Sequence, residues 1–295
     1  MATTPSVILS FDVEEHDRIE AAAGLACTRS QKSHYAERME ICTRWIMDEL
    51  AAADIQATFF VVGQIARTHR GLVRDLHNAG HEIASHGWDH QRVHSFNSKT
   101  FRLDLRRSKL ALEDLIGARV VGYRAPTFSI MRETAWAVDV LAEEGFLYDS
   151  SVFPIRHDRY GVPRAPRQPF VVRGLRNELL ELPPATLSWL GQNLPAAGGG
   201  YFRLFPLGVM RAAIRQLQHG PEPGVAMLYF HPWEFDPDQE RLPLKLLSRW
   251  RTYVGIGRTR ARLRKLLQRY AFRRAADVAD EIRGEGMLRD FALAG

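Results

Sequence analysis

The sequence predicts an α/β fold in which a parallel sheet closes into a β/α barrel with its helices on the outside. Short apolar runs of strand length alternate with amphipathic helical segments over more than half of the chain. Parallel neighbours need long crossover connections, and helical segments of a dozen residues or more supply them. The chain has 295 residues, 45% hydrophobic and 25% charged, which is typical of one large globular domain.

The predicted elements follow one another in chain order. Strands are predicted at 7–11, 57–62, 82–85, 120–123 and 225–230, and helices at 38–53, 64–78, 98–116 and 134–144. The carboxyl ends of the strands of such a barrel share one face, so residues that follow the strands are expected to converge there. These residues are Asp12, His86, Arg124, Asp149 and His231.

The alternation weakens after the first half of the chain. Residues 154–224 are rich in proline and glycine but carry interleaved aromatic residues, which predicts ordered loops over the barrel mouth. We therefore divide the single domain into a barrel core with the metal motif (1–153), a loop-rich substrate-covering region (154–224) and a last part (225–295). The last part holds the final strand and basic C-terminal helices.

A helical pattern at 258–283 has one apolar stripe that includes Leu263, Leu266 and Leu267, flanked by arginines. It is expected to pack on the barrel with its arginines in solvent, and contact with an anionic membrane or an acidic glycan stays an alternative.

Composition limits the class of protein. The net charge is +6 and the pI about 9.5, but much of the excess lies between Arg249 and Arg274, so no nucleic-acid partner is predicted. Cys27 and Cys42 are expected to be reduced thiols. No secretory signal is recognised before the first strand, and no apolar run reaches the ~20 residues that cross a bilayer. The expected location is cytoplasmic, at the inner face of the membrane as an alternative.

Two motifs carry the predicted chemistry. His86 and His90 follow a buried strand, and in a helical turn two histidines four residues apart would share one face and bind one divalent ion. The acidic cluster Asp12-Val-Glu-Glu-His16 follows the first strand and offers a carboxylate ligand. A hydrolytic metal site is the hypothesis.

With these motifs the chain resembles the polysaccharide deacetylases of the nodulation-deacetylase-like superfamily, carbohydrate esterase family 4. It is most similar to the subgroup found with exopolysaccharide and exosortase gene clusters. The resemblance covers nearly the whole chain and implies a deformed barrel of about seven parallel strands. The matching segments lie at 11–14, 57–60, 80–87, 122–126, 148–154, 181–184, 198–202 and 230–234.

The resemblance implies the metal ligands and the base. Asp12 matches the catalytic base, and His86 and His90 match the two metal histidines. Most members have two adjacent aspartates, whereas Val13 follows Asp12 here. Glu14 is the best candidate for the acidic ligand and Glu15 the alternative. The implied cofactor is one divalent ion, zinc first, with cobalt, nickel or manganese as alternatives.

The remaining roles also come from the resemblance. Arg124 matches the arginine that pairs with the base, His231 the histidine that protonates the leaving group, and Asp149 the acid that orients that histidine. The backbone N–H of Thr127 matches the donor to the oxyanion. The aromatic residues expected to stack on sugar rings are Trp88, Trp189, Tyr201 and Trp233, whereas His94 is expected at the surface or behind the metal ligands.

The implied function is metal-dependent removal of N-acetyl groups, in preference to O-acetyl groups, from a bacterial exopolysaccharide or its lipid-linked precursor. Two alternatives remain: hydrolysis of a cyclic amide such as allantoin, and glycan binding without catalysis. The expected partner is an acetylated polysaccharide or oligosaccharide, and peripheral membrane contact and a homo-oligomer stay open.

Overall fold

The computed structural model describes residues 5–220, 224–285 and 288–294. Most of the segment before the first strand, residues 1–4, lies outside the described residues. Among those described, the fold is one α/β domain built on a curled, mostly parallel ten-stranded sheet. The predicted barrel class is confirmed.

The strands are short after the first one. They are β1 Ser6–Val13, β2 Thr58–Val61, β3 Glu82–Ser85, β4 Gly122–Tyr123, β5 Tyr148–Asp149, β6 Phe170–Arg173, β7 Glu178–Glu181, β8 Thr186–Trp189, β9 Gln192–Pro195, β10 Val225–Phe230, β11 Phe272–Arg273 and β12 Arg289–Ala292.

The helices lie between them and after them. They are α1 Arg29–Ala52, α2 Ile65–Thr68, α3 Arg70–Asn78, α4 Ser98–Ile116, α5 Trp136–Glu143, α6 Gly199–Leu204, α7 Leu207–Gln218, α8 Leu246–Tyr253, α9 Thr259–Leu267 and α10 Ala275–Glu285. No helix within the described ranges is both long and apolar enough to span a bilayer.

Seven parallel strands form the barrel, in the order β10-β1-β2-β3-β4-β5-β7. An isolated parallel bridge between Pro184, just after β7, and Met227 of β10 joins the first and last strands of this series. β6 pairs antiparallel with β7 and extends the sheet outward with β12. All eight residues of β1 are buried, as expected for a central strand of a parallel sheet covered on both faces.

Several element boundaries differ from the sequence prediction. α1 begins nine residues before the predicted start because Thr28 and Gln31 form a capping box. The predicted helix at 64–78 is divided into α2 and α3 at His69. The region at 154–224 contains β6 to β9, α6 and α7 besides its loops, and it supplies β7 to the barrel.

The prediction of a single long helix at 258–283 is wrong. The chain leaves the helix after α9 and forms β11, which pairs with β1 at Val7 and Ile8, before β2 joins that edge at Ser10. The stripe residues Leu263, Leu266 and Leu267 are buried in the core. Their burial supports packing on the barrel and leaves this stripe unable to contact a membrane.

Candidate active site

A cavity of about 220 Å³ opens at the carboxyl ends of the barrel strands. This end of a β/α barrel is where the strand-end residues converge. The cavity wall includes five of the predicted polar residues: Asp12, Glu14, His86, His90 and His231. Of the five residues that were expected to converge from their positions after strands, Asp12, His86 and His231 line this cavity, whereas Arg124 and Asp149 do not.

Glu14, His86 and His90 form a cluster able to hold one metal ion, with their ligand atoms within 4.8 Å of one another. The Glu14 carboxylate contacts His90 Nε2 directly and lies 4.0 Å from His86 Nε2. His86 Nδ1 lies 2.8 Å from the carbonyl oxygen of Arg124 and donates to it, which leaves the lone pair on Nε2 facing Glu14. One carboxylate and two imidazoles suit zinc and its first-row neighbours.

The charges of this cluster also suit a cation. Burial alone would raise the pKa of Glu14, but His90, His231 and His86 together lower it well below its usual range. Burial lowers the pKa of His86 to about 4, so the ring is neutral at physiological pH and able to act as a ligand. The residues present therefore fit the divalent ion that the sequence predicts.

The histidines come together through an irregular turn, and not through the helical turn considered from the sequence. Gly87 and His90 both have left-handed backbone conformations, with φ of 72° and 54°. Hydrogen bonds fix the turn: the Gly63 N–H donates to the Gly87 carbonyl over 2.8 Å, and the Trp88 N–H donates to Asp104 over 3.0 Å. Packing against neighbouring elements holds His90 in a conformation that its own sequence disfavours.

Of the two candidate acidic ligands, Glu14 and Glu15, Glu14 is the one that lies in the cluster. Side chains alternate along an extended chain, so Glu14 lies on the same side as Asp12. Glu15 points elsewhere and forms an ion pair with Arg18.

Arg124 is the largest fully buried side chain among the described residues. Its Nη1 donates to Asp12 Oδ1 over 2.6 Å and to Ser10 Oγ over 2.9 Å. The guanidinium also lies 4.0 Å from the centre of the Phe60 ring. The predicted pairing with Asp12 is formed, and it leaves Asp12 Oδ2 toward the cavity.

His231 is oriented by Glu234, a residue that received no role from the sequence. His231 Nδ1 lies 2.6 Å from Glu234 Oε1, and Arg203 Nη1 lies 2.9 Å from Glu234 Oε2. His231 Nε2 is thereby aimed into the cavity, 3.8 Å from Asp12 Oδ2 and from Glu14 Oε1.

The same neighbours control the charge of His231. Burial alone would lower its pKa, but Glu234, Glu14 and Asp12 raise it to about 9.

The sequence signal that could have identified Glu234 is its spacing from His231 in His231-Pro-Trp-Glu234. These residues form a short 3-10 turn, in which residues three apart share a face. Arg203 lies in α6, 28 positions before His231, and no local pattern links it to the histidine.

Asp149 is buried at the end of β5, but it does not meet His231. Its Oδ1 accepts from Ser151 Oγ over 2.5 Å, and Glu181 lies opposite it on the neighbouring strand β7. Burial raises the pKa of Asp149 to about 6, while burial and Asp149 raise the pKa of Glu181 well above its usual range. These raised pKa values favour a proton retained on this pair of carboxyl groups, and the orienting contact predicted for Asp149 is made by Glu234.

Of the predicted substrate-binding residues, Thr127 and Trp233 lie on the cavity wall. Thr127 has φ of 56°, a strained conformation for a β-branched residue. Trp233 stacks on His231 with ring centres 5.4 Å apart.

Trp88 and Tyr201 do not line this cavity. Arg107 covers the Trp88 ring, with its guanidinium 3.9 Å from the ring centre, and Tyr201 hydrogen-bonds to Tyr160, which lines the cavity. His94 is exposed, as expected.

Two family models match adjacent parts of the chain. The model described as polysaccharide deacetylase matches residues 37–144, and a domain of unknown function (DUF3473) matches residues 150–280. The first range includes His86, His90 and Arg124, whereas His231, Glu234 and Arg203 fall in the second.

Curated relatives match part of the chain. The peptidoglycan deacetylase of Helicobacter pylori is 26% identical over 48% of this chain and 50% of its own length. The chitooligosaccharide deacetylase of Rhizobium leguminosarum bv. trifolii is 31% identical over 34% of this chain and 44% of its own length. The chain therefore spans half or less of the length of these relatives.

Solved structures align over nearly the whole chain. A polysaccharide deacetylase from Mycobacterium smegmatis has a TM-score of 0.63 and 22% identity over 98% of this chain and 96% of its own. Puue allantoinase has a TM-score of 0.62 and 18% identity over 95% of this chain and 91% of its own. At these identities the likeness shows the fold alone.

Proposed function

We propose that this chain, whose membership of the polysaccharide deacetylase family the family model and the relatives support, is a metal-dependent amide hydrolase. Its proposed reaction removes N-acetyl groups from a bacterial exopolysaccharide or a lipid-linked glycan precursor. One observation carries the proposal: the Glu14–His86–His90 cluster shares a small cavity with an arginine-paired aspartate and a glutamate-paired histidine.

Glu14, His86 and His90 are the residues that would hold the ion. When bound, a divalent ion supplies Lewis-acid polarisation of the amide carbonyl and lowers the pKa of a water molecule. Asp12 accepts the proton of the attacking water at Oδ2, because Arg124 occupies Oδ1. The backbone N–H of Thr127, on the cavity wall, is the proposed donor to the developing oxyanion.

His231 completes the reaction by giving a proton from Nε2 to the leaving nitrogen as the C–N bond breaks. Its raised pKa of about 9 keeps this proton on the ring at neutral pH. An amine is a poor leaving group without protonation, so a histidine held protonated favours the N-acetyl over the O-acetyl substrate. Trp233 lines the cavity and stacks on His231, so it helps to hold the imidazole in place.

Elemental analysis of the purified protein beside an acetate-release assay on chitooligosaccharides tests the proposal. His86→Ala should lose both metal and turnover, whereas His231→Ala should keep the metal and lose turnover. His81→Gln is the matched control, since His81 is also buried but hydrogen-bonds the Ala57 N–H outside the cluster. This control should keep both properties.

Two results would reject the proposal. Ring opening of allantoin without acetate release would favour the cyclic-amide hydrolase. Oligosaccharide binding that Asp12→Asn leaves unchanged, in a protein without turnover, would favour a binding protein that has lost catalysis.

A further inference from the structure

The helix α8 presents an apolar face to solvent at the rim of the cavity. Leu246, Leu247 and Trp250 are 86%, 60% and 53% exposed. Single exposed leucines are common on soluble proteins, but three large apolar side chains within five residues form a patch that is typical of a contact surface.

Four exposed cations lie in or beside this patch. Arg241, Lys245, Arg249 and Arg251 are all exposed. Within the described part of the chain, none of the four has a carboxylate within 4.0 Å. Two arginines further along the chain differ, because Arg264 pairs with Glu49 and Arg274 with Asp277.

The last turn of α8 is anchored at the active site. Thr252 lines the cavity, and the Tyr253 hydroxyl lies 2.9 Å from His16 Nε2 and accepts from the Leu242 N–H over 2.7 Å. The exposed face of α8 is therefore held beside the cavity mouth.

A second apolar element projects from the same end of the barrel. The chain entering β8 runs parallel to β10 at the bridge between Pro184 and Met227, so the β8–β9 hairpin extends past the carboxyl end of the sheet. Its tip carries Trp189 and Leu190, both exposed.

We propose that α8 and its four cations, together with the β8–β9 tip, dock this protein on an anionic membrane surface with the cavity mouth beside the lipid. Apolar side chains that enter the interface and cations that meet anionic headgroups are the two components of peripheral membrane binding. Unpaired cations favour a lipid surface over a second copy of this chain, since the same patch on a partner would bring like charges together. This surface is independent of the reaction proposed for the cavity.

Cosedimentation with vesicles tests the surface, using phosphatidylglycerol–phosphatidylcholine mixtures beside pure phosphatidylcholine. The triple variant Leu246→Gln, Leu247→Gln, Trp250→Gln should lower the partition coefficient on anionic vesicles about tenfold or more. The double variant Arg249→Gln, Arg251→Gln should lower it several-fold and reduce its dependence on salt. Added salt should weaken wild-type binding.

The matched control is Leu103→Gln, Leu110→Gln on α4. These leucines are also well exposed, but the neighbouring arginines of α4 pair with Glu143 and Glu144. The control should bind vesicles as wild type does. Acetate release from a soluble chitooligosaccharide, measured on the same preparations, should be unchanged in every variant, so that a failure of the docking surface is distinct from a failure of the enzyme.

Three outcomes would overturn the proposal. The first is binding that is equal in wild type and the triple variant, or equal on neutral and anionic vesicles. The second is a wild-type dimer that the triple variant dissociates, which would assign the patch to self-association. The third is a raised KM for the soluble oligosaccharide with unchanged vesicle binding, which would assign it to the glycan.

Discussion

Two groups of buried carboxyl groups lie at the carboxyl end of the same barrel, and their surroundings are opposite. On the side of β1 and β10, each acid faces a cation or an imidazole: Asp12 meets Arg124, Glu14 meets His90, and Glu234 meets both His231 and Arg203. On the side of β5 and β7, Asp149 and Glu181 face each other.

The difference shows that position at a strand end does not by itself give an acid a role in the reaction. Opposite charges nearby keep a carboxylate ionised and able to act as a ligand or as a partner of a protonated histidine, whereas two adjacent buried carboxyl groups retain a proton. The first group is arranged for chemistry. The second is arranged to hold the barrel: Asp149 accepts from Ser151, which in turn accepts from the Ala125 N–H over 2.7 Å, ahead of Thr127.

The largest expected effect separates Glu14, a member of the first group, from the adjacent acid Glu15, which is not. Glu14→Gln should abolish stoichiometric metal binding and lower kcat/KM by more than about 10³-fold, because carbonyl polarisation and water activation are lost together. Glu15→Gln should keep the metal and most of the activity, since Glu15 pairs with Arg18 outside the cluster. Elemental analysis and acetate release measure both, and equal metal loss in the two variants would contradict the assignment of Glu14.

A smaller effect is expected from Glu234→Gln, which removes the charge that orients and protonates His231. Amide hydrolysis should slow by about 10²-fold with the metal retained, because proton donation to the leaving group is impaired. Hydrolysis of an aryl acetate, whose leaving group needs no protonation, should fall by no more than a few-fold. Equal losses on the amide and the aryl ester would show that Glu234 supports the fold and not the proton transfer.

The second group should be nearly silent in catalysis. Asp149→Asn is expected to leave kcat/KM within about threefold of wild type, because the amide keeps the hydrogen bond to Ser151. Steady-state acetate release measures this directly. A loss comparable to that of Glu234→Gln would mean that Asp149 acts on His231 after all.

The smallest effect concerns stability and pH. The pKa of Asp149 is raised to about 6 and that of Glu181 is raised well above its usual range, so the folded protein should hold a proton that the unfolded chain releases. For raised carboxyl pKa values, the contribution to stability is complete below the unfolded values near 4 and declines as pH rises through about 6. Asp149→Asn should therefore gain on the order of 2 kcal/mol relative to wild type between about pH 5 and about pH 8. Urea unfolding at several pH values checks this, and parallel curves for the two proteins would exclude the shared proton.

Much of the site was predictable because it depends on local regularities of the chain. Apolar runs separated by helical segments predict parallel strands, and parallel strands bring their carboxyl ends to one face. His86, Arg124 and His231 each follow a strand directly and Asp12 is the last residue but one of β1, so all four were expected at the same end of the sheet. The alternation of side chains along an extended segment likewise explains why Glu14, two positions after Asp12, reaches the cluster and Glu15 does not.

Only the tertiary structure decided which partners these residues meet. Arg203 reaches Glu234 from a helix that lies 31 positions earlier in the chain, and Asp149 meets Glu181 because β5 and β7 are neighbours in the sheet. The helical segment that begins after residue 258 gives way to β11, because a free edge of β1 offers hydrogen bonds there. The exposure of three apolar side chains on α8 is likewise a property of the folded chain. The sequence alone determined a barrel with polar strand-end residues at its mouth, since these follow from periodicity and strand-end position. Ion pairs, shared protons and exposed faces depend on contacts between distant segments, which no local pattern encodes.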